Sequence, residues 1–284
     1  MNDNTGEGML YLCATPIGNL SDISERVLET LRGADIIAAE DTRNSIKLLN
    51  HFDIRVPMTS YHEHNRYDKA RELIGKMKTG AKVALITDAG TPAISDPGQV
   101  LTDMCHKEGI KVTALPGPCA LITALALSGI DSRRFVFEGF LPSDKKSRRQ
   151  VISDLTKEKR TIIIYEAPHH LKGTLSDLYE ALGDRGMALC RELTKKFEEV
   201  SRMSLKEAKD HCDACTPRGE YVLVIEGAAE ETDPIDVKEY STKELKAKVD
   251  EYTNGGMDHM EAMKKVAADL GVSKRDIYRK LIEK

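Results

Sequence analysis

The segment Thr87–Gly98, with the sequence TDAGTPAISDPG, holds the densest group of residues that could contact a ligand. It follows an apolar run at 83–86 that predicts a buried strand, and it precedes a predicted helix. Its two glycines allow positive φ, and its two aspartates offer acceptors for hydroxyl or ammonium groups. Ligands of α/β sheets bind where a strand passes into a helix, and twelve residues exceed an ordinary connection. We therefore predict that this loop binds a ligand.

Five further clusters follow apolar runs that also predict strands, namely Thr15–Leu20, Glu40–Arg43, Pro116–Pro118, Tyr165–His169 and Arg191–Lys195. The carboxyl ends of parallel strands meet at one edge of a sheet, so we expect these clusters to line one crevice. No GxGxxG motif follows the first strand and no P-loop motif occurs, which argues against NAD and against a P-loop nucleotide.

The segments that must position these clusters alternate between strand-like and helix-like patterns from Leu10 to Ile225, which predicts parallel sheets covered by helices. Ser128–Asp131 is interpreted as a hinge, and the second half has a mixed strand order with an antiparallel edge. After Gly227 the composition becomes acidic, which is typical of a linker, and helices that resemble a helix-turn-helix follow. The predicted domains are a disordered tail (1–8), an N-terminal α/β domain (9–128), a C-terminal α/β domain that closes the cleft (129–228), a linker (229–240) and a helical tail (241–284).

The 284 residues are 40% hydrophobic and 31% charged, with a formal net charge of −4. That charge argues against binding nucleic acid through bulk charge, although local basic patches are compatible with it. No apolar run approaches the ~20 residues of a membrane helix, and the N-terminus lacks the features of a signal peptide, so we expect a cytoplasmic protein without a membrane partner. Cys212 and Cys215 form the only CxxC pair, and a zinc ribbon needs a second pair, so no metal is expected.

Taken together, the clusters resemble one family, the ribosomal RNA small subunit methyltransferase I branch of the tetrapyrrole-methylase fold. The resemblance also includes Asp22-Ile23, Ser60–Asn65 and Gly139–Pro142, and it runs from about residue 9 to the end of the chain. It implies an α/β fold class with two α/β/α domains of the tetrapyrrole-methylase type, the class III SAM methyltransferases, plus a small C-terminal helical tail domain. It further implies S-adenosylmethionine (SAM) as cofactor, a homodimer, and methylation of a cytidine ribose 2′-hydroxyl in 16S rRNA or the 30S ribosomal subunit.

The family holds SAM in the cleft between its two domains. By position, the resemblance implies SAM contacts from Pro16, Asp88, Ala89, Gly90, Ile94, Cys119, Ala120, Tyr165, Glu166, Gly219 and Glu220. Two departures from the family pattern concern substrate contacts. His170 stands where the family usually has Arg, and Ser201–Ser204 replaces its usual Arg-Gly-Thr turn.

Methyl transfer to a ribose hydroxyl benefits from a general base, because that hydroxyl is a weak acid. The candidates for this role are Glu40, Asp41, His64, Glu166 and Lys195. Arg43 and Lys195 are also interpreted as clamps for a phosphate or a ribose, since Arg stays protonated. Plainer interpretations are a surface loop for His62 and His64, and a helix N-cap with a local ion pair for Glu40–Arg43.

Two basic groups are predicted to bind RNA in spite of the overall negative charge. The first is the compact run of Lys145, Lys146, Arg148 and Arg149, and the second is Lys274 with Arg275 in the helical tail. Alternatively, the first run is a solvated helix start and the second group is a dimer contact. Two other functions stay open: methylation of a small molecule such as a tetrapyrrole within the same fold, or a non-catalytic RNA-binding assembly factor that senses SAM.

Overall fold

The computed structural model describes residues 7–229, 241–270, 277–278 and 280–281. Most of the predicted tail (1–6), nearly all of the predicted linker (230–240), and both Lys274 and Arg275 lie outside the described residues. The chain divides into two compact units, 1–228 and 229–284. The two predicted α/β domains therefore belong to one compact unit.

The first half of the larger unit contains a five-stranded sheet with the order β3-β2-β4-β1-β5. Its strands are β1 (Met9–Cys13), β2 (Ile36–Ala39), β3 (Met58–Ser60), β4 (Lys82–Ile86) and β5 (Lys111–Leu115). Its helices are α1 (Glu25–Gly33), α2 (Thr42–His51), α3 (Arg66–Lys78), α4 (Gly98–Lys107) and α5 (Ala120–Ser128), with a short 3-10 helix at Leu20–Asp22. Every neighbouring pair is parallel, which confirms the parallel arrangement predicted for this half. The sequence did not predict β3, because its three half-buried residues, MTS, form no apolar run.

Strand β4 shows how this sheet is covered on both sides. Its residues Val83 to Ile86 are all buried. Val83 and Leu85 belong to the core that α3 and α4 complete, whereas Ala84 and Ile86 belong to the core that α1 and α2 complete. Successive side chains of a strand point to opposite faces, so a continuous apolar run fits a strand between two helical layers.

The second half contains a mixed five-stranded sheet with the order β6-β7-β10-β8-β9. Its strands are β6 (Phe135–Phe140), β7 (Thr161–Glu166), β8 (Gly186–Arg191), β9 (Glu199–Ser204) and β10 (Tyr221–Ile225), and its helices are α6 (Lys145–Leu155), α7 (Leu171–Leu182) and α8 (Leu205–Ala214). Strand β9 is antiparallel to β8, which confirms the expected antiparallel edge. The central strand β10 is also antiparallel to both neighbours, so its amino end lies beside the carboxyl ends of β7 and β8.

Helix α5 joins the two halves. Its residues Leu121 and Leu125 share a core cluster with Ile163 of β7 and with Val222 and Val224 of β10. The opposite face of the second sheet packs against α6, α7 and α8. The predicted boundary at 128–129 therefore falls directly after a helix that packs on the sheet of the second half.

The smaller unit contains α9 (Thr242–Asn254) and α10 (His259–Asp269), which confirms the first two helices predicted there. The start of a third predicted helix, at 273–276, lies outside the described residues. Ser241 and Glu244 form a capping box at the start of α9. Leu245, Val249, Met263 and Val266 form the centre of a separate apolar core. Across the described ranges of both units, no helix combines the length and the apolar character needed to cross a membrane.

Candidate active site

The carboxyl edge of the first sheet and the facing edge of the second sheet enclose a cavity of about 560 Å³. All but two of the residues implied as SAM contacts line it: Asp88, Ala89, Gly90, Ile94, Cys119, Ala120, Tyr165, Glu166 and Glu220. Pro16 and Gly219 are not among the lining residues, although their neighbours Ile17 and Glu220 are. The structure thus brings together residues from four separate segments of the chain.

Further lining residues were not singled out individually from the sequence. They are Ile17, Thr87, Thr91, Ser95, Asp96, Phe140, Ala167, Pro168, Leu193, Tyr221 and Val222. Most lie inside motifs that the sequence did single out, so proximity along the chain was a usable signal for them. Tyr221 and Val222 are exceptions, because a fully apolar strand such as β10 is typical of a core rather than of a site.

The first part of the Thr87–Gly98 loop is fixed to the end of β1. Thr15 and Gly90 exchange two backbone hydrogen bonds, of 2.9 and 3.1 Å, and the Thr15 hydroxyl donates to the carbonyl of Thr87 at 3.1 Å. Gly90 has φ +87°, and a Cβ there would lie 3.3 Å from the Cγ2 of Ile17. Only glycine adopts this conformation readily, so the motif needs it at this position.

The second part of this loop contains two residues in the left-handed region, Ala93 (φ +67°) and Ser95 (φ +63°). Oδ1 of Asp96 accepts from the amide of Ala93, at 3.0 Å, and from the amide of Gly98, at 2.7 Å, and so fixes the loop on both sides of Ser95. Burial raises the pKa of Asp96, in spite of these hydrogen bonds. Such backbone strain persists only where the surroundings enforce it, and it clusters at functional sites.

The Glu40–Arg43 cluster divides into two parts. Glu40 lines the cavity, and its Oε2 accepts a hydrogen bond of 2.7 Å from the hydroxyl of Thr87. Asp41 instead caps α2 through the amide of Arg43 and pairs with the Arg43 guanidinium at 2.8 Å. The hydrogen bond from the Arg43 side chain holds the pKa of Asp41 at about 2. The predicted ion pair at a helix N-cap is therefore confirmed for Asp41 and Arg43, but it does not include Glu40. Neither Asp41 nor Arg43 lines the cavity.

Tyr165 and Glu166 form the wall from the second sheet. The Tyr165 hydroxyl accepts a hydrogen bond of 3.0 Å from the amide of Leu121, and burial raises the pKa of Tyr165 to about 12. Glu166 is only 4% exposed, and its carboxylate accepts from the amide of Ala167, at 2.8 Å, and from the hydroxyl of Thr174. Both carboxylate oxygens of Glu166 therefore have partners within the protein.

The same network also includes Arg148. Its guanidinium donates to the Thr174 hydroxyl and to Asp177, both at 2.8 Å, and its side chain is 18% exposed. Arg148 belongs to the same basic run as three exposed residues. Because a helix turns by 100° per residue, its side chain is directed towards α7. Arg148 is therefore half-buried in an ion pair with Asp177, whereas Lys145, Lys146 and Arg149 are exposed, and its contact with RNA stays a prediction.

Lys195 lies outside the cavity between two carboxylates. Its ammonium donates to Glu192 and to Glu220, both at 2.8 Å. Partial burial opposes the charge on Lys195, but the hydrogen bonds to these carboxylates outweigh it and raise the pKa of the ammonium. Lys195 therefore carries a proton at neutral pH and cannot accept one from a substrate.

The remaining base candidate, His64, lies on the loop after β3. It is exposed, and its ring centre lies 6.0 Å from that of His62. Neither histidine lines the cavity. The surface-loop interpretation therefore fits His64, whereas the Nδ1 of His62 is buried without a hydrogen-bond partner within the described structure.

A second cavity, of about 790 Å³, lies between α6 and α7 and is called the basic groove here. Its lining includes the basic side chains of Lys145, Arg148, Arg149, His169 and His170, together with Leu141, Pro142 and Asp177. Two chain segments pass from the first cavity to this groove, because Phe140 and Pro168 line the former while Leu141 and His169 line the latter. An extended ligand could therefore occupy both.

Comparison with known proteins first defines the class. Residues 9–209 match the family model of the Tetrapyrrole (Corrin/Porphyrin) Methylases. The solved structure of a cobalamin biosynthetic enzyme, cobalt precorrin-4 methyltransferase, has a TM-score of 0.59 at 17% identity and covers 80% of this chain and 97% of its own. Uroporphyrin-III C-methyltransferase from Thermus thermophilus, solved with S-adenyl homocysteine, has a TM-score of 0.55 at 14% identity and covers 77% of this chain and 97% of its own. The fold is that of the class III SAM methyltransferases.

Relatives of higher identity define the family within that class. Ribosomal RNA small subunit methyltransferase I of Halalkalibacterium halodurans is 48% identical over 272 residues, which cover 96% of this chain and 94% of the relative. The protein of the same name from Bacillus subtilis is 43% identical over 277 residues, which cover 98% of this chain and 95% of the relative. The chain belongs to the ribosomal RNA small subunit methyltransferase I family.

Proposed function

We propose that this protein transfers a methyl group from SAM to the 2′-hydroxyl of a cytidine ribose in 16S rRNA. The observation that carries the proposal is the 48% identity, over 96% of the chain, to a protein named ribosomal RNA small subunit methyltransferase I. The cavity between the two sheets provides a site for the cofactor, and the basic groove beside it provides a site for RNA.

The cavity fits SAM in size and in chemistry. Its volume of about 560 Å³ lies within the range of small-molecule sites. Asp88 and Glu220 offer carboxylates to the ammonium and the ribose hydroxyls, and Ile17, Ile94 and Leu193 offer apolar surface. Gly90 has no side chain, so a ligand can approach the backbone there. SAM supplies a methyl group that its sulfonium makes reactive.

Glu40 is the residue that we assign to accept the hydroxyl proton. It lines the cavity, whereas Asp41 is paired with Arg43, and both oxygens of Glu166 are engaged inside the protein. The hydrogen bond from Thr87 orients the Glu40 carboxylate. A positioned general base accelerates a reaction ~10²–10⁴-fold. Alignment of the reacting groups lowers the activation barrier by up to ~7–11 kcal/mol in favourable cases.

The basic groove is the proposed contact for the RNA backbone. Lys145 and Arg149 line it and are exposed, and the exposed Lys146 lies on the same turn of α6. This cationic surface matches the charge of an RNA phosphate backbone. Lys274 and Arg275 stay proposed RNA contacts on sequence grounds. We also propose a homodimer, a 16S rRNA or 30S partner, and a cytoplasmic location, where that partner is found.

Methyl incorporation into ribosomal particles tests the proposal. The protein is incubated with methyl-labelled SAM and 30S subunits from cells that lack it, and modified nucleotides are mapped by mass spectrometry. We expect one methyl group on a cytidine ribose of 16S rRNA. Transfer to neither naked 16S rRNA nor 30S subunits, with SAM bound, would contradict it, and transfer to a tetrapyrrole instead would favour the small-molecule alternative.

A matched pair of variants separates catalysis from a purely binding role. Asp88→Asn removes a charged partner at the cavity and is expected to weaken SAM binding about 10- to 100-fold. Asp103→Asn removes an exposed carboxylate of α4 that pairs with Lys107, and it serves as the control. Asp88→Asn should lose methyl transfer but keep 30S binding. Normal function of this variant in cells would favour an assembly factor that does not catalyse.

A further inference from the structure

Phe140 combines two properties that rarely occur together. Its side chain is 59% exposed, although it is a large apolar ring, and it also lines the cavity. Among the exposed large apolar side chains of the described ranges, only Ile94 shares both properties, and Ile94 is aliphatic. An exposed aromatic ring at the mouth of a ligand cavity is surface that a planar ligand can cover.

The backbone around Phe140 directs its ring rather than leaving it on a loose loop. The pairing of β6 with β7 shifts register between Phe137 and Gly139, and Gly139 has φ +63°. Such a bulge re-aims the side chains that follow it. A Cβ on Gly139 would lie 2.7 Å from the Oγ of Ser95, so the bulge also packs tightly against the Thr87–Gly98 loop.

Tyr165 supports the Phe140 ring from the neighbouring strand. The two ring centres lie 5.6 Å apart with an interplanar angle of 61°, which is an edge contact that leaves a face of Phe140 available. Tyr165 is itself held by the amide of Leu121. The ring is therefore preorganised by two hydrogen-bonded strands.

The position of Phe140 identifies the part of the substrate that it faces. On one side lies the cavity proposed for SAM, and on the other side the next two residues, Leu141 and Pro142, line the basic groove. A nucleotide whose ribose 2′-hydroxyl lies at the methyl donor carries its base on that same ribose, so the base reaches the mouth of the cavity, where the Phe140 ring is exposed. Unpaired RNA bases are commonly recognised by stacking on aromatic side chains.

We propose that Phe140 is the platform on which the base of the acceptor nucleotide stacks, so that it determines how the target ribose is presented. This inference rests on the proposed function. Stacking holds the nucleotide in both the bound and the reacting state, so its loss is expected to raise the KM for RNA more than it lowers kcat.

The test measures kcat and KM for 30S subunits, together with the affinity for S-adenosylhomocysteine. Phe140→Leu keeps apolar bulk but removes the aromatic face, and it should raise the KM for 30S about 5- to 100-fold with unchanged cofactor affinity. Phe140→Tyr keeps the aromatic face and should stay within about threefold of the wild type. Phe135→Leu is the control, since this phenylalanine at the other end of β6 is 36% exposed and does not line the cavity.

Three results would overturn the inference. They are an unchanged kcat/KM in Phe140→Leu, an equal loss in Phe140→Tyr, or a loss in Phe140→Leu that is matched by weaker cofactor binding. The last result would place Phe140 in the cofactor site. Inactivity of the wild-type protein on 30S subunits would instead reject the proposed function, so the two failures are distinguishable.

Discussion

The amide of Leu121 donates a hydrogen bond of 3.0 Å to the phenolic oxygen of Tyr165. Leu121 lies in the first turn of α5, where amide groups lack partners within the helix, and the N-cap residue Cys119 makes no side-chain hydrogen bond. A tyrosine from the second sheet therefore caps a helix that follows the first sheet. This bond fixes one wall of the cavity to the other.

Tyr165→Phe should consequently destabilise the larger unit by about 1–2 kcal/mol, because it leaves a half-buried helix amide without an acceptor. Urea unfolding followed by circular dichroism measures this change. Tyr67→Phe is the control, since Tyr67 is 52% exposed. An unchanged unfolding midpoint with an unchanged m-value in Tyr165→Phe would show that the amide finds another partner.

Glu40→Gln should lower kcat about 10²- to 10⁴-fold with little change in SAM affinity, because the amide can still accept from Thr87 but cannot take a proton. Single-turnover methyl transfer at saturating SAM and 30S measures the chemical step. Asp41→Asn is the matched control: asparagine also caps helices well, so kcat should stay within about threefold of the wild type. If the losses were reversed between the two variants, the base would be Asp41.

The pH dependence of Lys195→Arg distinguishes a clamp from a base. Because the pKa of Lys195 is raised above its ordinary value of 10.5, any stability that its charge contributes is fully present below that value and is lost only as pH rises through the raised pKa. Its deprotonation should therefore be absent from the profile of kcat between about pH 6 and 9. Lys195→Arg, which keeps the charge, should retain the shape of the wild-type profile. A rise of kcat at alkaline pH in the wild type that Lys195→Arg abolishes would mean that Lys195 does titrate during catalysis.

The basic groove predicts a dependence on salt. Lys145→Glu and Arg149→Glu should each weaken 30S binding and reduce the slope of log affinity against log salt by roughly one per lost phosphate contact. Arg133→Glu is the control for charge alone, since Arg133 is exposed, pairs with Asp131 and does not line the groove. Arg148→Met should instead lower the unfolding midpoint, because Arg148 pairs with Asp177, and it should reduce the salt slope less than Lys145→Glu does. A slope reduced as much as in Lys145→Glu would show that Arg148 contacts an RNA phosphate directly.

The sequence by itself determined the parts of the structure that depend on local pattern. The run of Val83 to Ile86 predicted a doubly covered strand because strands alternate their side chains, and the glycines and aspartates after it predicted a ligand loop. The Asp41–Arg43 ion pair was also foreseeable, since its two partners lie two residues apart.

Only the tertiary structure decided the contacts between distant segments. It placed Lys195 beside Glu220, Arg148 beside Asp177, Tyr165 under Leu121 and Phe140 at the mouth of the cavity. None of these contacts has a signature in local spacing, because each joins segments that meet only through strand pairing or through the packing of helices and sheets. The ligand loop could therefore be predicted from the sequence, whereas the residues that face it could be identified only from the tertiary structure.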